Sequence, residues 1–186
     1  MVNTIDLLIA VDGVSEQIML TLPKNGWAVL LYYGVCAFAA AKPDFSGTYA
    51  AKQKNDGKST PATVLRVVQS DSAVEVTRVN GDKTTTNLFP LNGSDADYIT
   101  ETGVRGKCKA EMKKDILVLE SLVASPARPD RPSVRFHTIE QWQLSSDRKT
   151  LTVKIEIQSP DMPATVIAAA FPNNPHKEQY QRTNEP

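Results

Sequence analysis

The side chains that could orient a bound molecule are one carboxylate and two guanidinium groups set among apolar residues. Glu140 shares the alternate positions of one segment with Phe136 and Trp142, and a carboxylate on such a face is costly unless it has a partner. Arg66 and Arg78 each lie among valines at alternate positions. If these faces point inward, an arginine could pair with Glu140 or bind the acid group of a lipid-like ligand. If they point outward, the same charges are solvated, because the sequence does not determine strand register.

Side chains for catalysis or metal binding are not arranged in any known pattern. His137 and His176 have no Cys, His or carboxylate at metal-ligand spacing. No G-x-S-x-G sequence is present, so the sequence contains no recognisable motif for nucleophilic catalysis. Cys108 lies on an apolar face, where a small buried hydrophobic residue is expected rather than a reactive thiol. We therefore expect a protein that is not an enzyme and that needs no metal and no cofactor.

The charge balance argues against a polyanionic partner. The chain has 186 residues, with 21 basic and 21 acidic side chains. A nucleic-acid-binding domain usually has a basic excess, so no nucleic-acid partner is expected. The length suits a single domain with a sizeable core.

The first 41 residues do not follow the pattern of the rest. Residues 27–38 form an apolar run that is too short to span a bilayer, which needs about 20 such residues. The run suits the core of a signal peptide, and Ala39-x-Ala41 supplies the small residues that signal peptidase accepts. Residues 1–18 carry acids and no basic residue, whereas a start at Met19 gives an ordinary signal peptide with Lys24 as its charge.

We therefore predict a signal-peptide region over residues 1–41. Within it, we expect translation, and hence the signal peptide itself, to begin at Met19. Export to the periplasm or the extracellular space follows, with no stable membrane insertion after processing. A buried amino-terminal helix is the alternative, although the run has no amphipathic stripe.

The segments that must position the candidate side chains have the period of β-strands. In residues 151–157 every odd position is aliphatic and every even position is polar, as in a strand with one buried face. Asn80-Gly81 favours a tight hairpin turn, and residues 125–132 contain three prolines, as in an exposed loop. Nine strands are predicted, over residues 44–49, 63–69, 73–79, 83–89, 103–112, 116–123, 134–145, 150–158 and 165–171.

Short polar connections between consecutive strands imply an antiparallel up-and-down meander. About 8–10 strands of this kind close most economically into a barrel, which leaves no unpaired edge. The fold prediction is thus an all-β barrel over residues 42–171 followed by a polar tail over residues 172–186. A β-sandwich is the alternative.

Three segments carry a resemblance to a known family. Residues 44–49 (DFSGTY) are similar to the D-F-S-G-T-W opening of small exported lipocalin-like proteins of bacteria. Residues 140–153 resemble their E-x-W-x-L-S-x-D-G-K-T-L-T-V stretch, and residues 115–118 fit the preceding G-D-x-L-V-I hairpin. The resemblance implies a lipocalin-like up-and-down barrel. It assigns no activity, since most members of that family have none assigned.

The chain also departs from the lipocalin pattern. Lipocalins proper carry G-x-W on the first strand, with an arginine from the far end of the barrel packed on the tryptophan. Tyr49 takes the place of that tryptophan, Arg182 falls in the predicted tail, and Arg148 replaces a turn glycine.

Two functions fit these observations. In the first, the barrel binds an apolar or amphipathic small molecule inside, with Glu140, Arg66 and Arg78 as polar groups and Trp142 and Phe136 as wall. In the second, side chains fill the barrel, and the protein is a structural or protein-binding module that acts through its loops. Substitution of Glu140 distinguishes the two, because a solvated carboxylate tolerates the change.

Overall fold

The computed structural model describes residues 4–11, 14–21, 42–51, 63–127, 129 and 132–183. These residues form two units. The first is a hairpin of β1 (Thr4–Val11) and β2 (Val14–Thr21), which pair antiparallel. The apolar run and the cleavage site of the predicted signal peptide lie outside the described residues.

The second unit is a β-barrel built from one ten-stranded sheet. Each strand pairs antiparallel with its neighbour, and the order around the sheet is β6-β5-β4-β3-β12-β11-β10-β9-β8-β7. This confirms the predicted all-β meander, and one continuous sheet excludes the sandwich alternative. The strands are β3 (Gly47–Ala51), β4 (Val64–Gln69), β5 (Ala73–Asn80), β6 (Lys83–Pro90), β7 (Ala96–Ile99), β8 (Arg105–Lys113), β9 (Ile116–Ala124), β10 (Arg135–Leu144), β11 (Thr150–Gln158) and β12 (His176–Thr183).

The barrel is closed at its seam by a side chain rather than by a strand ladder. β6 and β7 are the two ends of the sheet order. The Asn87 amide Nδ2 donates to the Ile99 carbonyl oxygen at 3.0 Å, and the Ile99 amide donates to Asn87 Oδ1 at 2.8 Å. Asn87 therefore replaces one pair of ladder hydrogen bonds between the edge strands.

The two ends of the barrel differ in packing. We call the end with the β4–β5, β8–β9 and β10–β11 turns the packed base, and the opposite end, with the β5–β6 turn and the β9–β10 loop, the open end. Inward-facing side chains of the packed base lose almost all contact with solvent, because they fill the barrel across its width. They include Phe45, Tyr49, Leu65, Val67, Val74, Phe89, Leu117, Trp142 and Leu151.

Two predictions at the carboxyl terminus are wrong. Residues 164–170 form helix α1 (Ala164–Ala170) instead of a strand, because three consecutive alanines favour helix. Residues 176–183, predicted as a polar tail, form β12, which pairs with both β11 and β3. The prediction missed β12 because its side chains are polar on both faces, so that it lacks hydrophobic alternation.

Candidate ligand-binding site

Three of the predicted site residues meet inside the barrel. Arg78 on β5 donates through Nη2 to both carboxylate oxygens of Glu140 on β10, at 2.9 and 2.8 Å. The indole Nε1 of Trp142 donates to Glu140 Oε2 at 2.9 Å. The Arg78 guanidinium carbon also lies 6.0 Å from the Trp142 ring centroid, within cation–π range. The carboxylate therefore has two donor partners of different type.

Burial makes this pairing energetically important. The side chains of Arg78 and Glu140 retain 18% and 10% of their exposure. An uncompensated charge there would be strongly unfavourable, and pairing offsets the desolvation cost. Burial acts to lower the pKa of Arg78, but the Glu140 carboxylate opposes this effect and the pKa ends above its ordinary value. Arg78 therefore stays a cation and is already neutralised by a neighbour.

Strand alternation explains why these side chains point inward. On β5 the even positions Val74 and Val76 are buried, and Arg78 follows with the same parity. On β10 Glu140 and Trp142 are the two buried positions. Both strands thus direct an apolar face into the barrel, and each carries its charged residue on that face.

A second polar pair lies on β12, in the segment predicted as a tail. The Tyr180 hydroxyl donates to Glu178 Oε2 at 2.5 Å, and His176 Nε2 lies 3.5 Å from Glu178 Oε1. Burial, together with the bond to Glu178, raises the pKa of Tyr180 well above its ordinary value. Sequence reasoning missed these residues, although their period-two spacing with a tyrosine could have indicated a strand.

Beside and above Glu140, the inward positions of β10 and β11 are apolar or weakly polar. Thr138 and Phe136 on β10 and Ile155 and Ile157 on β11 have the inward parity of their strands and are half-buried. Phe136 packs edge-to-face on Phe171, with ring centroids 6.1 Å apart. Helix α1 precedes Phe171 and buries Ile167. The upper interior therefore offers an apolar wall that is not completely packed.

Arg66 lies elsewhere. It is exposed on the outer face of β4, because Leu65 and Val67 supply the inward face of that strand. The structure thus brings together Arg78, Glu140 and Trp142, places Phe136 higher in the same interior, and separates Arg66 from all of them.

At the packed base, Arg182 of β12 occupies the position of the expected barrel-closing arginine. Its guanidinium carbon lies 5.8 Å from the centroid of the Tyr49 ring, and it donates to the Ser46 carbonyl oxygen. A Cβ at Gly47 would come within 2.9 Å of this guanidinium, and the φ of 148° at this position favours glycine. Tyr49 itself donates to the Phe45 carbonyl oxygen at 2.9 Å. An arginine therefore packs on Tyr49, the residue that stands where lipocalins proper carry a tryptophan.

Other chemistry-bearing residues have structural partners. Burial raises the pKa of the Cys108 thiol to about 11, and its Sγ lies 3.2 Å from the Leu88 carbonyl oxygen. The thiol is therefore protonated and unreactive near neutral pH. His137 lies on the outer face of β10, 3.2 Å from Glu120. Within the described part of the chain, no three His, Cys, Asp or Glu side chains are grouped as metal ligands.

A cleft lies on the outer side of the barrel. This cleft of about 480 Å³ runs over β8, β9 and β10 and includes Lys109, Glu120, Leu122 and His137. Lys109 and His137 flank Glu120 across the sheet. The cleft therefore shares none of the interior polar groups described above. No helix in the described ranges is both long and apolar enough to cross a membrane.

No family model and no curated protein sequence matches this chain. Solved structures do match in fold. The REP1-NXSQ fatty acid transporter superposes with a TM-score of 0.51 at 10% identity, covering 77% of this chain and 98% of that one. Fatty-acid-binding protein 1 of Echinococcus granulosus gives 0.50 at 11% identity, covering 75% and 97%. The fold is that of a fatty-acid-binding-protein-like β-barrel. Identities this low describe the fold alone.

Proposed function

We propose that the barrel binds an apolar or amphipathic small molecule in its upper interior, between the open end and the packed base. The observation that carries the proposal is the contrast along the interior. The base is filled by side chains, whereas Thr138, Ile155 and Ile157 face inward and are only half-buried. Ligand sites are typically concave and apolar with a few polar groups that fix orientation, and Arg78 and Glu140 supply such groups.

The structural neighbours support the class of ligand. One is described as a fatty acid transporter and another as a fatty-acid-binding protein, so barrels of this architecture hold long apolar molecules. No catalytic step is required by the arrangement, and we propose a binding protein rather than an enzyme.

Native mass spectrometry of the protein recovered gently from its own cells tests the proposal. The mass of the folded protein is compared with that of the same sample after denaturation. A discrete additional mass that is lost on denaturation supports a carrier and identifies its ligand. Equal masses, together with no binding in the experiment that follows, contradict the proposal and favour a side-chain-filled interaction module.

A matched pair of variants locates the bound molecule. Thr138→Trp adds a large ring on the inward face of β10, and Gln141→Trp adds the same ring on the exposed face of that strand. Binding of a neutral, environment-sensitive naphthylamine dye is measured for both. We expect Thr138→Trp to lose most of the dye binding and Gln141→Trp to retain it. Equal loss in both variants, or loss in neither, contradicts an interior site.

We further propose that the protein is exported to the periplasm or the extracellular space. The apolar run over residues 27–38 and the small residues Ala39 and Ala41 support cleavage after Ala41. Intact-mass measurement of the protein from the exported fraction and from whole cells tests this. A chain that begins at Lys42 in the exported fraction supports export, and an uncleaved chain that stays inside the cells contradicts it.

A further inference from the structure

The charges inside the barrel define the class of head group that the proposed ligand carries. Among the described residues, the inward positions above the packed base and below the exposed rim hold one guanidinium, Arg78, and two carboxylates, Glu140 and Glu178. His176 is the remaining titratable base at that level. Arg182 also has inward parity, but it lies at the base over Tyr49. The described residues of the upper interior therefore supply no excess of positive charge to receive an anion.

Arg78, the guanidinium that the described residues place in the upper interior, is already paired with a carboxylate. Both bonds from Arg78 to Glu140 leave from the same nitrogen, Nη2. Trp142 Nε1 also donates to Oε2 of the same carboxylate. A ligand carboxylate that reached Arg78 would come close to Glu140 and would be repelled, because two like charges that share one buried site destabilise each other. Displacement of Glu140 would leave that carboxylate without the partner that offsets its burial.

Arg78 retains donors for an uncharged acceptor. Its Nη1 and Nε make no hydrogen bond to the described residues, and part of the side chain is accessible. A hydroxyl or carbonyl oxygen can accept from such a donor without bringing a negative charge near Glu140.

We infer that the barrel prefers an amphiphile with an uncharged, hydrogen-bond-accepting head group over a long-chain carboxylate, because Glu140 neutralises Arg78. This inference rests on the proposed binding function and specifies its ligand class. Barrels of the same fold are described as fatty acid carriers, so the inference sets this interior apart from a carboxylate site.

The test uses the delipidated full-length protein and two ligands of equal length, hexadecanol and hexadecanoate, at pH 8, where the acid is ionised. Each ligand displaces a neutral naphthylamine dye, and the two dissociation constants are compared. We expect the dissociation constant of hexadecanol to be about tenfold lower than that of hexadecanoate. A ratio of this size corresponds to a partly screened repulsion between two like charges. Tighter binding of hexadecanoate overturns the inference and leaves the proposed function intact. Binding of neither ligand overturns both.

Glu140→Gln tests the stated cause. The amide keeps an acceptor for Trp142 but removes the charge, so affinity for hexadecanoate should rise about tenfold while affinity for hexadecanol changes little. Glu111→Gln removes an exposed carboxylate on the outer face of β8 and serves as the matched control with no expected change. An unchanged ratio in folded Glu140→Gln contradicts the role of Glu140. If Glu140→Gln does not fold, the ratio of the two dissociation constants in the wild-type protein still tests the ligand preference. Glu178→Gln, which removes the second interior carboxylate, then tests whether interior negative charge causes that preference.

Discussion

The two ends of this barrel use the same ten strands for different purposes. On β11, Leu151 and Val153 are completely buried at the base, whereas Ile155 and Ile157, two and four residues further along, are half-buried. On β10, Trp142 is buried at the base and Phe136 is half-buried near the open end. The same alternation therefore produces a packed core at one end and partly exposed inward side chains at the other. The base therefore contributes most of the buried apolar packing, and the partly exposed end is where we propose that a ligand binds.

The charge pair at the boundary between the two regions should give the largest effect. Glu140→Leu leaves Arg78 buried without its partner and should lower the free energy of unfolding by about 3–5 kcal/mol, or somewhat less because the guanidinium retains some solvent contact. The double variant Arg78→Met with Glu140→Leu should recover most of that loss, because no unpaired charge remains. Urea unfolding of the three proteins measures both values. Equal losses in the single and double variants would show that packing, not charge, dominates.

A truncation pair on β11 compares the two ends directly. Leu151→Ala removes a completely buried side chain of the base and should cost about 2–5 kcal/mol of unfolding free energy. Ile157→Ala removes a half-buried side chain near the open end and should cost about 1 kcal/mol, in line with its incomplete burial. Urea unfolding measures both. Similar losses would contradict the division into a packed base and a less tightly packed open end.

A third comparison concerns the seam between β6 and β7. There the side chain of Asn87 makes the hydrogen bonds that backbone ladders make between the other strands. Asn87→Ala removes both hydrogen bonds to Ile99 and should cost about 1–3 kcal/mol. Hydrogen exchange at the Ile99 amide should accelerate. Exchange at the hydrogen-bonded amides of β10 should change only by the amount that the lower free energy of global unfolding predicts. Thr84→Ala, at an exposed position of β6, is the control. Unchanged exchange at Ile99 would contradict closure by Asn87.

Hydrophobic patterning identified most of the barrel strands and did not identify β12, whose residues are mostly polar on both faces. Strands β8 and β11 alternate apolar and polar residues, and the predicted strands at β8, β9, β10 and β11 are confirmed. On β4, Val64 and Val68 flank Arg66 while Leu65 and Val67 form the other face, so either face could have been the inner one. Val68 is in fact 62% exposed. The choice between Arg66 and Arg78 as the partner of Glu140 thus required the register across the sheet.

The residues of the candidate site on β12 were not predicted, for a different reason. Glu178 and Tyr180 are hydrogen-bonded on the same face of β12. This strand pairs through its backbone with β11 and β3, and Tyr180 is its one buried residue in the core. Hydrophobic periodicity carries no information about such pairing. Arg182 was assigned to the tail for the same reason, although it packs over Tyr49.

The smallest expected effect is an acid-dependent one at the open end. Asp161, in the turn between β11 and α1, accepts from the Arg135 amide at 2.8 Å and from the guanidinium Nε and Nη2 at 3.0 and 2.6 Å. These bonds hold the pKa of Asp161 at about 2, below its ordinary value of 3.8. A lowered folded-state pKa stabilises the fold above the unfolded value, so this contribution is complete above about pH 4 and is lost as the pH falls toward 2.

Carboxyl NMR titration of Asp161 measures this pKa directly. Arg135→Gln should raise it toward 3.8, because the guanidinium bonds are lost while the backbone bond remains. Lys113→Gln, at an exposed position on β8 in the packed base, should leave it unchanged. Because the pair is exposed, the accompanying change in stability should be small. A pKa near 3.8 in the unmodified protein would mean that Arg135 on β10 does not form these hydrogen bonds with the turn before α1. The open end would then lack one of the contacts that hold its rim in place.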